Sequence, residues 1–172
     1  MRSNIFSTVS ESYHISHILF AGYVCEIPPD KRKGDSTHSF KLITTLGTSY
    51  CYFNNIETAK KVRGVLEGML EKAKPAIFKN GGDSLDIGAV VSFSKVVKLK
   101  NSESGMTHAF LVSLNTVNEK SSQVWFTYKS EDTARHARNA LWAKMESSGK
   151  IQEPHFEEQV TGVAECYSEI EN

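Results

Sequence analysis

The feature of this sequence that most constrains its fold is a set of short motifs that occurs twice in the same order. Residues 37–40 (Thr-His-Ser-Phe) recur as 107–110 (Thr-His-Ala-Phe), and an aromatic run recurs further along the chain. A third motif, Thr-Ala followed by basic and apolar residues, begins at Thr58 and again at Thr133. A repeated order of landmarks predicts a duplicated structural unit and therefore a pseudo-symmetric fold.

Each copy is expected to consist of strands followed by one helix. Enrichment or alternation of β-branched and aromatic residues predicts strands at 15–27, 38–46 and 49–53, then at 87–99, 108–117 and 123–128. Asn55 and Ser130 are suited to cap the helices that follow, which are expected to end before Pro75 and near Glu146. We therefore predict an α+β fold of tandem duplicated β-β-β-α units packed as an intramolecular pseudo-dimer, with antiparallel sheets and one helix per repeat.

Composition shifts along the chain predict its domain organisation. The polar, glycine-containing stretch from Lys79 to Ser84 separates the two copies and is typical of a linker. The predicted segments are an N-terminal arm at 1–14, the first repeat at 15–78, a linker at 79–85, the second repeat at 86–148 and an acidic C-terminal tail at 149–172.

The composition, 40% hydrophobic and 23% charged, is that of a globular protein. No run approaches the roughly 20 apolar residues that span a bilayer, and the first residues lack the apolar core of a signal peptide. The three cysteines, Cys25, Cys51 and Cys166, are odd in number and widely spaced, which argues against a disulfide framework and for a reducing compartment. We therefore expect a cytoplasmic protein that does not associate with membranes.

Charge is unevenly distributed, although the net charge is zero. From Gly149 onward there are six acidic residues and one basic residue, which leaves a net charge of +5 for residues 1–148. A basic body with an acidic tail is found in nucleic-acid-binding proteins whose tail competes for the binding groove. A solvated tail on an ordinary domain gives the same pattern, and the tail is also a candidate contact for a protein partner.

The sequence carries no recognisable catalytic motif. It has no phosphate-binding glycine-rich loop, no Gly-x-Ser-x-Gly elbow and no His-Glu-x-x-His pair. We therefore predict a non-enzymatic protein with no cofactor and no metal site. His38 and His108 occupy equivalent positions in the two copies, so either they meet across the pseudo-symmetry axis or each begins a hairpin strand and finds a backbone partner.

Aromatic and basic residues form the candidate binding set. If one sheet face is free of helices, its aromatic rings could stack on unpaired bases and nearby basic side chains could contact phosphates. The alternative is that the aromatic residues are core and the lysines protect strand edges. The candidate residues are Tyr23, Lys31, Arg32, Lys33, Lys41, Tyr50, Tyr52, Phe93, Lys95, Lys98 and Trp125.

The order of strand, hairpin and helix, repeated once over residues 15–148, resembles the architecture of the Whirly and Pur-alpha classes of single-stranded nucleic-acid-binding proteins. The resemblance implies a platform formed by two sheet-plus-helix repeats, and it assigns no individual functional residue. Our functional prediction is a small single-stranded DNA- or RNA-binding protein that uses a sheet face and basic loops. The alternative is a protein-interaction or regulatory scaffold domain that oligomerises, with a second copy or another protein as its partner.

Overall fold

The computed structural model describes residues 4–100, 104–118 and 122–149. The fold is mixed α+β with antiparallel sheets and two helices, which confirms the predicted fold class at that level. The elements in chain order are β1 (Ile5–Ser7), β2 (Ser12–His14), β3 (Ile18–Ala21), β4 (Cys25–Glu26), β5 (His38–Thr44), β6 (Gly47–Phe53), α1 (Ile56–Ala73), β7 (Ile77–Asn80), β8 (Asp83–Asp86), β9 (Val90–Phe93), β10 (Val97–Lys98), β11 (His108–Leu114), β12 (Gln123–Tyr128) and α2 (Glu131–Ser147).

The chain divides into two compact units. Among the described residues, the first comprises 4–89 with 115–118 and 122, and the second comprises 90–100, 104–114 and 123–149. Apart from Gly149, the predicted acidic tail lies outside the described residues. No helix in the described part of the chain is long and apolar enough to cross a membrane.

The first unit is built on a six-stranded sheet. Its strand order is β4-β5-β3-β8-β7, and β6 pairs with β5. Both β3 and β4 also pair with β5, at opposite ends of that strand. Because a strand has only two sides, β6 lies alone on the other side of β5 and forms one edge of the sheet.

One face of this sheet packs against α1. Phe40 and Leu42 of β5 are fully buried there, together with Leu66 of α1. Burying such a side chain stabilises the fold by roughly 1.5–3 kcal/mol relative to leaving it exposed. The cluster consists of Phe6, Ile15, Ile18, Ala21, Phe40, Leu42, Cys51, Leu66 and Leu70.

Both helices begin where the sequence predicts. The Asn55 side chain accepts the Thr58 N–H at 2.8 Å, and the Ser130 hydroxyl accepts the Thr133 N–H at 3.2 Å. Each contact satisfies a backbone donor that has no partner within its own helix. The first helix ends at Ala73, two residues before Pro75.

The segment predicted as a linker at 79–85 is instead part of a β-hairpin. β7 and β8 pair with each other, and β8 also pairs with β3, so the hairpin belongs to the first unit's sheet. The turn is Gly81-Gly82, and Gly81 has a φ of 58°, a conformation that glycine adopts without steric cost. A Gly-Gly loop of two residues is itself a hairpin signal. A second hairpin, β1–β2, occupies the predicted N-terminal arm.

The predicted strand at 15–27 is interrupted. A single 3-10 turn spans Ile15–His17, and β3 and β4 follow it as separate short strands. The segment 87–99 has the same form, with a 3-10 turn at Ile87–Ala89 before β9 and β10. Composition predicted extended chain in both segments but not these breaks.

The second unit has a smaller sheet covered by α2. Strands β9 and β10 pair with opposite ends of β11, and β12 pairs along its other side. Phe110 and Phe126 are buried with ring centroids 5.5 Å apart, and Tyr128 stacks on Phe110 at 5.8 Å. Leu141 of α2 is fully buried as well.

Candidate nucleic-acid interface

The candidate site is the face of the first sheet opposite α1. Because Phe40 and Cys51 point into the core that α1 covers, the alternation of side chains along a strand places Lys41, Tyr50 and Tyr52 on the other face. Tyr50 is 49% exposed and Tyr52 is 59% exposed. Their ring centroids lie 6.3 Å apart with an interplanar angle of 30°. We call Lys41, Tyr50 and Tyr52 the tyrosine face.

Tyr23, a further candidate residue, lies beside the tip of the β7–β8 hairpin. Its ring side chain is 58% exposed, and its backbone N–H donates to Asp83 Oδ1 at 2.8 Å. A Cβ atom at position 82 would lie 2.6 Å from the Tyr23 Cβ, which is too close for any residue larger than glycine. Gly82 therefore allows the hairpin tip to approach Tyr23 closely.

Lys41 lies between the tyrosines and the hairpin. It is directly opposite Tyr50 in the β5–β6 register and is half-buried. Burial lowers the pKa of Lys41 below its ordinary value, and the charge of Asp83 partly offsets this effect. Burial raises the pKa of Asp83 to about 6, against the opposing effects of the Tyr23 N–H, Arg63 and Lys41.

Arg63 of α1 fixes this arrangement from the core side. It is only 5% exposed, and its Nε donates to the Gly22 carbonyl at 2.8 Å. Its Nη2 donates to the carbonyls of Ala21 and Gly82, each at 2.9 Å. Sequence analysis did not identify this role of Arg63. No local pattern shows that backbone carbonyls from two other elements converge on it.

The three basic residues of the loop after β4 differ in their exposure and contacts. Lys31 and Lys33 are exposed. Arg32 is already engaged, because its Nη2 lies 2.8 Å from Glu26 Oε1 and its Nε donates to the Ile27 carbonyl at 2.9 Å. The loop therefore offers two lysines, and Arg32 acts as a structural contact.

The predicted residues of the second unit do not form an equivalent exposed face. Trp125 is half-buried opposite Leu111. Lys95 is half-buried, whereas Lys98 is exposed.

The 70-residue offset between Thr37 and Thr107 aligns Phe93 with Tyr23, but the backbone places Phe93 differently. The Gly22 N–H donates to the Lys41 carbonyl, and the matching bond in the second unit runs from Ser94 to Leu111. By this bond Gly22 corresponds to Ser94, two residues further along than the 70-residue offset would place it. Tyr23 therefore corresponds to Lys95. Phe93 instead pairs with Val112 on the side of its sheet covered by α2.

The α2 side chains that meet Phe93 confirm this placement. Its ring packs edge-on against Trp142 at 5.8 Å. The Arg138 guanidinium lies 5.0 Å from the ring centroid. Phe93 therefore contributes to packing rather than to an exposed binding face.

The structure also shows the surroundings of two cysteines and of the two histidines at equivalent sequence positions. Burial raises the pKa of the Cys51 thiol to about 12, and it also raises the pKa of Cys25. The His38 and His108 rings each contact the hydroxyl of the preceding threonine, at 2.9 and 2.8 Å. Among the residues that the structure describes, no three His, Cys, Asp or Glu side chains are grouped so that they could hold a metal ion.

Comparison of the chain with protein-family models, with curated proteins and with solved structures gives no match. The resemblance in element order to the Whirly and Pur-alpha classes therefore stays a prediction.

Proposed function

We propose that this protein is a non-enzymatic single-stranded nucleic-acid-binding protein that uses the tyrosine face. The observation that carries the proposal is the pair of exposed tyrosines on one side of the sheet, Tyr50 at 49% and Tyr52 at 59%, with ring centroids 6.3 Å apart. Soluble proteins expose single apolar residues routinely, but clustered aromatic rings on a sheet face mark interaction surfaces. Lys41 supplies a cationic group among these rings.

The chemistry of the tyrosine face suits unpaired bases. Stacking a base on an aromatic side chain contributes roughly 1–3 kcal/mol and depends little on sequence, because every base has a π face. The net charge of +5 over residues 1–148 favours approach of the phosphate backbone. The expected complex is therefore weakly sequence-selective and sensitive to salt.

Fluorescence anisotropy of a labelled single-stranded oligonucleotide, measured with the full chain at low and moderate salt, tests the proposal. Tyr50→Ala and Tyr52→Ala should each weaken binding by about 5- to 100-fold, the equivalent of one lost stacking contact. Val65→Ala is the matched control, because Val65 is a 55% exposed apolar residue on α1. It should leave the affinity unchanged.

Two results would contradict the proposal. One is the absence of binding at low salt. The other is binding that the two tyrosine variants and the Val65 variant weaken equally, since the contact would then not depend on the tyrosine face. Binding to duplex with equal affinity would also argue against base stacking, because duplex bases are not free to stack on side chains.

We also infer that the two units derive from one duplicated β-β-β-α plan. Matching hydrogen bonds support this inference beyond the sequence motifs. The Thr37 hydroxyl donates to the Asn54 carbonyl, and the Thr107 hydroxyl donates to the Lys129 carbonyl, both at 2.8 Å. Arg63 of α1 and Arg138 of α2 occupy equivalent positions in the sequence. The Nε of Arg63 donates to the Gly22 carbonyl just after β3, and the Nε of Arg138 donates to the Ser94 carbonyl just after β9. The intramolecular pseudo-dimer stays a prediction.

A further inference from the structure

The two edges of the first sheet differ in how they are protected. The outer strand β7 carries Lys79, whose ammonium group contacts Glu67 at 2.7 Å and also Glu71 on α1. A charged side chain on an edge strand discourages pairing with another chain. The opposite edge, β6, has seven residues and no charged side chain, proline or bulge. In the described part of the chain, no other strand pairs with its outer side.

The backbone of β6 offers hydrogen-bonding groups at this edge. The Lys41 carbonyl accepts the Gly22 N–H at 2.8 Å, so the backbone polar groups of Lys41 point away from β6. Tyr50 lies opposite Lys41. Opposed residues of an antiparallel pair either both bond each other or both point outward, so the N–H and C=O of Tyr50 point to the free edge.

We propose that two copies of this chain pair through β6 in antiparallel orientation, with Tyr50 of one copy opposite Tyr50 of the other. Tyr50 is the middle residue of Gly47–Phe53, so this register pairs all seven positions. A twofold axis normal to the sheet keeps the tyrosine faces of both copies on one side. Tyr50 and Tyr52 of the two copies then form one row of four rings.

The side chains of β6 fit a second copy of the same strand. In this register Tyr50 lies opposite a tyrosine, and Tyr52 lies opposite Thr48 of the other copy. Aromatic–aromatic and aromatic–β-branched pairs are among the favourable cross-strand pairs. Because β6 is uncharged, self-pairing brings no like charges together. This self-complementarity is the reason to assign a second copy rather than an unrelated strand.

The pairing has a consequence for the proposed nucleic-acid site, and this part rests on the proposed function. Each copy contributes tyrosine rings to one continuous row, so one oligonucleotide should bind two chains. Pairing itself is independent of nucleic acid. Failure to bind an oligonucleotide would contradict the proposed function, while a measured dimer with the predicted register would still support the pairing.

Site-directed cross-linking of the full chain tests the register. Opposite residues in a hydrogen-bonded antiparallel pair lie about 5.5 Å apart between Cα atoms, which suits a disulfide. Tyr50→Cys should therefore cross-link to itself under mild oxidation. Thr48→Cys is the control, because the two copies of this position would be about 13 Å apart. Both variants carry Cys25→Ser and Cys166→Ser. Cys51 can stay, since it is 3% exposed and its pKa is raised to about 12.

Sedimentation of the unmodified chain over a concentration series gives a second readout. A mass that rises to twice the monomer value, with cross-linking at position 50 and little at position 48, is the expected result. A monomer at every concentration would overturn the proposal. A dimer in which position 50 fails to cross-link, or in which position 48 cross-links equally, would also overturn it, because another surface or register would then hold the copies together.

Discussion

Asp83→Asn should make the protein more stable at neutral pH and leave it nearly unchanged in acid. Asp83 is half-buried, and its Oδ1 accepts the Tyr23 N–H at 2.8 Å. Burial raises the pKa of this carboxyl from an ordinary 3.8 to about 6, despite the favourable charges of Arg63 and Lys41. An asparagine at this position keeps an oxygen that can accept the same N–H, but it carries no charge to bury.

The magnitude follows from the difference between the folded and unfolded pKa values. One pH unit corresponds to 1.36 kcal/mol, so a rise from 3.8 to about 6 costs about 3 kcal/mol once the group is ionised in both states. This is an upper value, because the side chain keeps some contact with water. Below the unfolded pKa the group is neutral in both states and costs nothing. The stability lost through Asp83 therefore accumulates as the pH rises through this interval.

Urea unfolding of wild type and Asp83→Asn over a pH series, from about pH 4 to about pH 8, measures this effect. The difference in unfolding free energy should be small at the acid end and should grow toward about 3 kcal/mol in favour of the variant. Taking the difference removes the contribution of other titrating groups. A variant that is less stable at neutral pH, or a difference that does not change with pH, would refute the reasoning.

Three further predictions concern stability and are measured by the same urea unfolding. Arg63→Met should cost about 3–5 kcal/mol, because it leaves several buried carbonyls without a donor. The equivalent Arg138→Met, at a half-buried residue, should cost about 1–2 kcal/mol. Equal losses would contradict the burial argument. Gly82→Ala should cost about 1–3 kcal/mol, because its Cβ would clash with Tyr23, and no loss would show that the hairpin tip can move away. Gly64→Ala should instead stabilise by about 0.5–1 kcal/mol, because nothing lies within 4 Å of the added Cβ in mid-helix.

The parts of this fold that the sequence predicted well are those fixed by neighbouring residues. Asn55 and Ser130 cap the helices because a short polar side chain reaches a backbone N–H three residues later. The strands β5 and β6 follow from alternation over a few residues. Local chemistry was therefore sufficient for the helices and for the central hairpin.

The parts that the sequence did not predict depend on contacts between distant segments. Gly81-Gly82 signals a turn, but only the pairing of β8 with β3 shows that this turn belongs to a sheet rather than to a linker. The buried Arg63 donates to the carbonyls of Gly22, just after β3, and of Gly82, and each of these residues is more than 15 positions away in the sequence. The position of Phe93 was misassigned because the offset between the copies differs from element to element, and the motifs cannot fix it inside β9.

Equivalent positions of the two units fall into two groups: contacts that both units share, and outward-facing side chains that differ. Threonine hydroxyls, helix caps and an arginine-to-carbonyl bond occur in both units, so under the proposed duplication these contacts belong to the shared scaffold. The outward positions differ: Lys41 and Tyr50 of the first unit match Leu111 and Trp125 of the second, which are half-buried.

Leaving aromatic rings in water forgoes the stabilisation that their burial would give. In the first unit the buried hydrophobic cluster includes neither Tyr50 nor Tyr52; its members come from α1, β1, β3, β5, the 3-10 turn at Ile15–His17, and Cys51 of β6. Tyr50 and Tyr52 therefore add little to this core, which is consistent with the binding role that we propose for them.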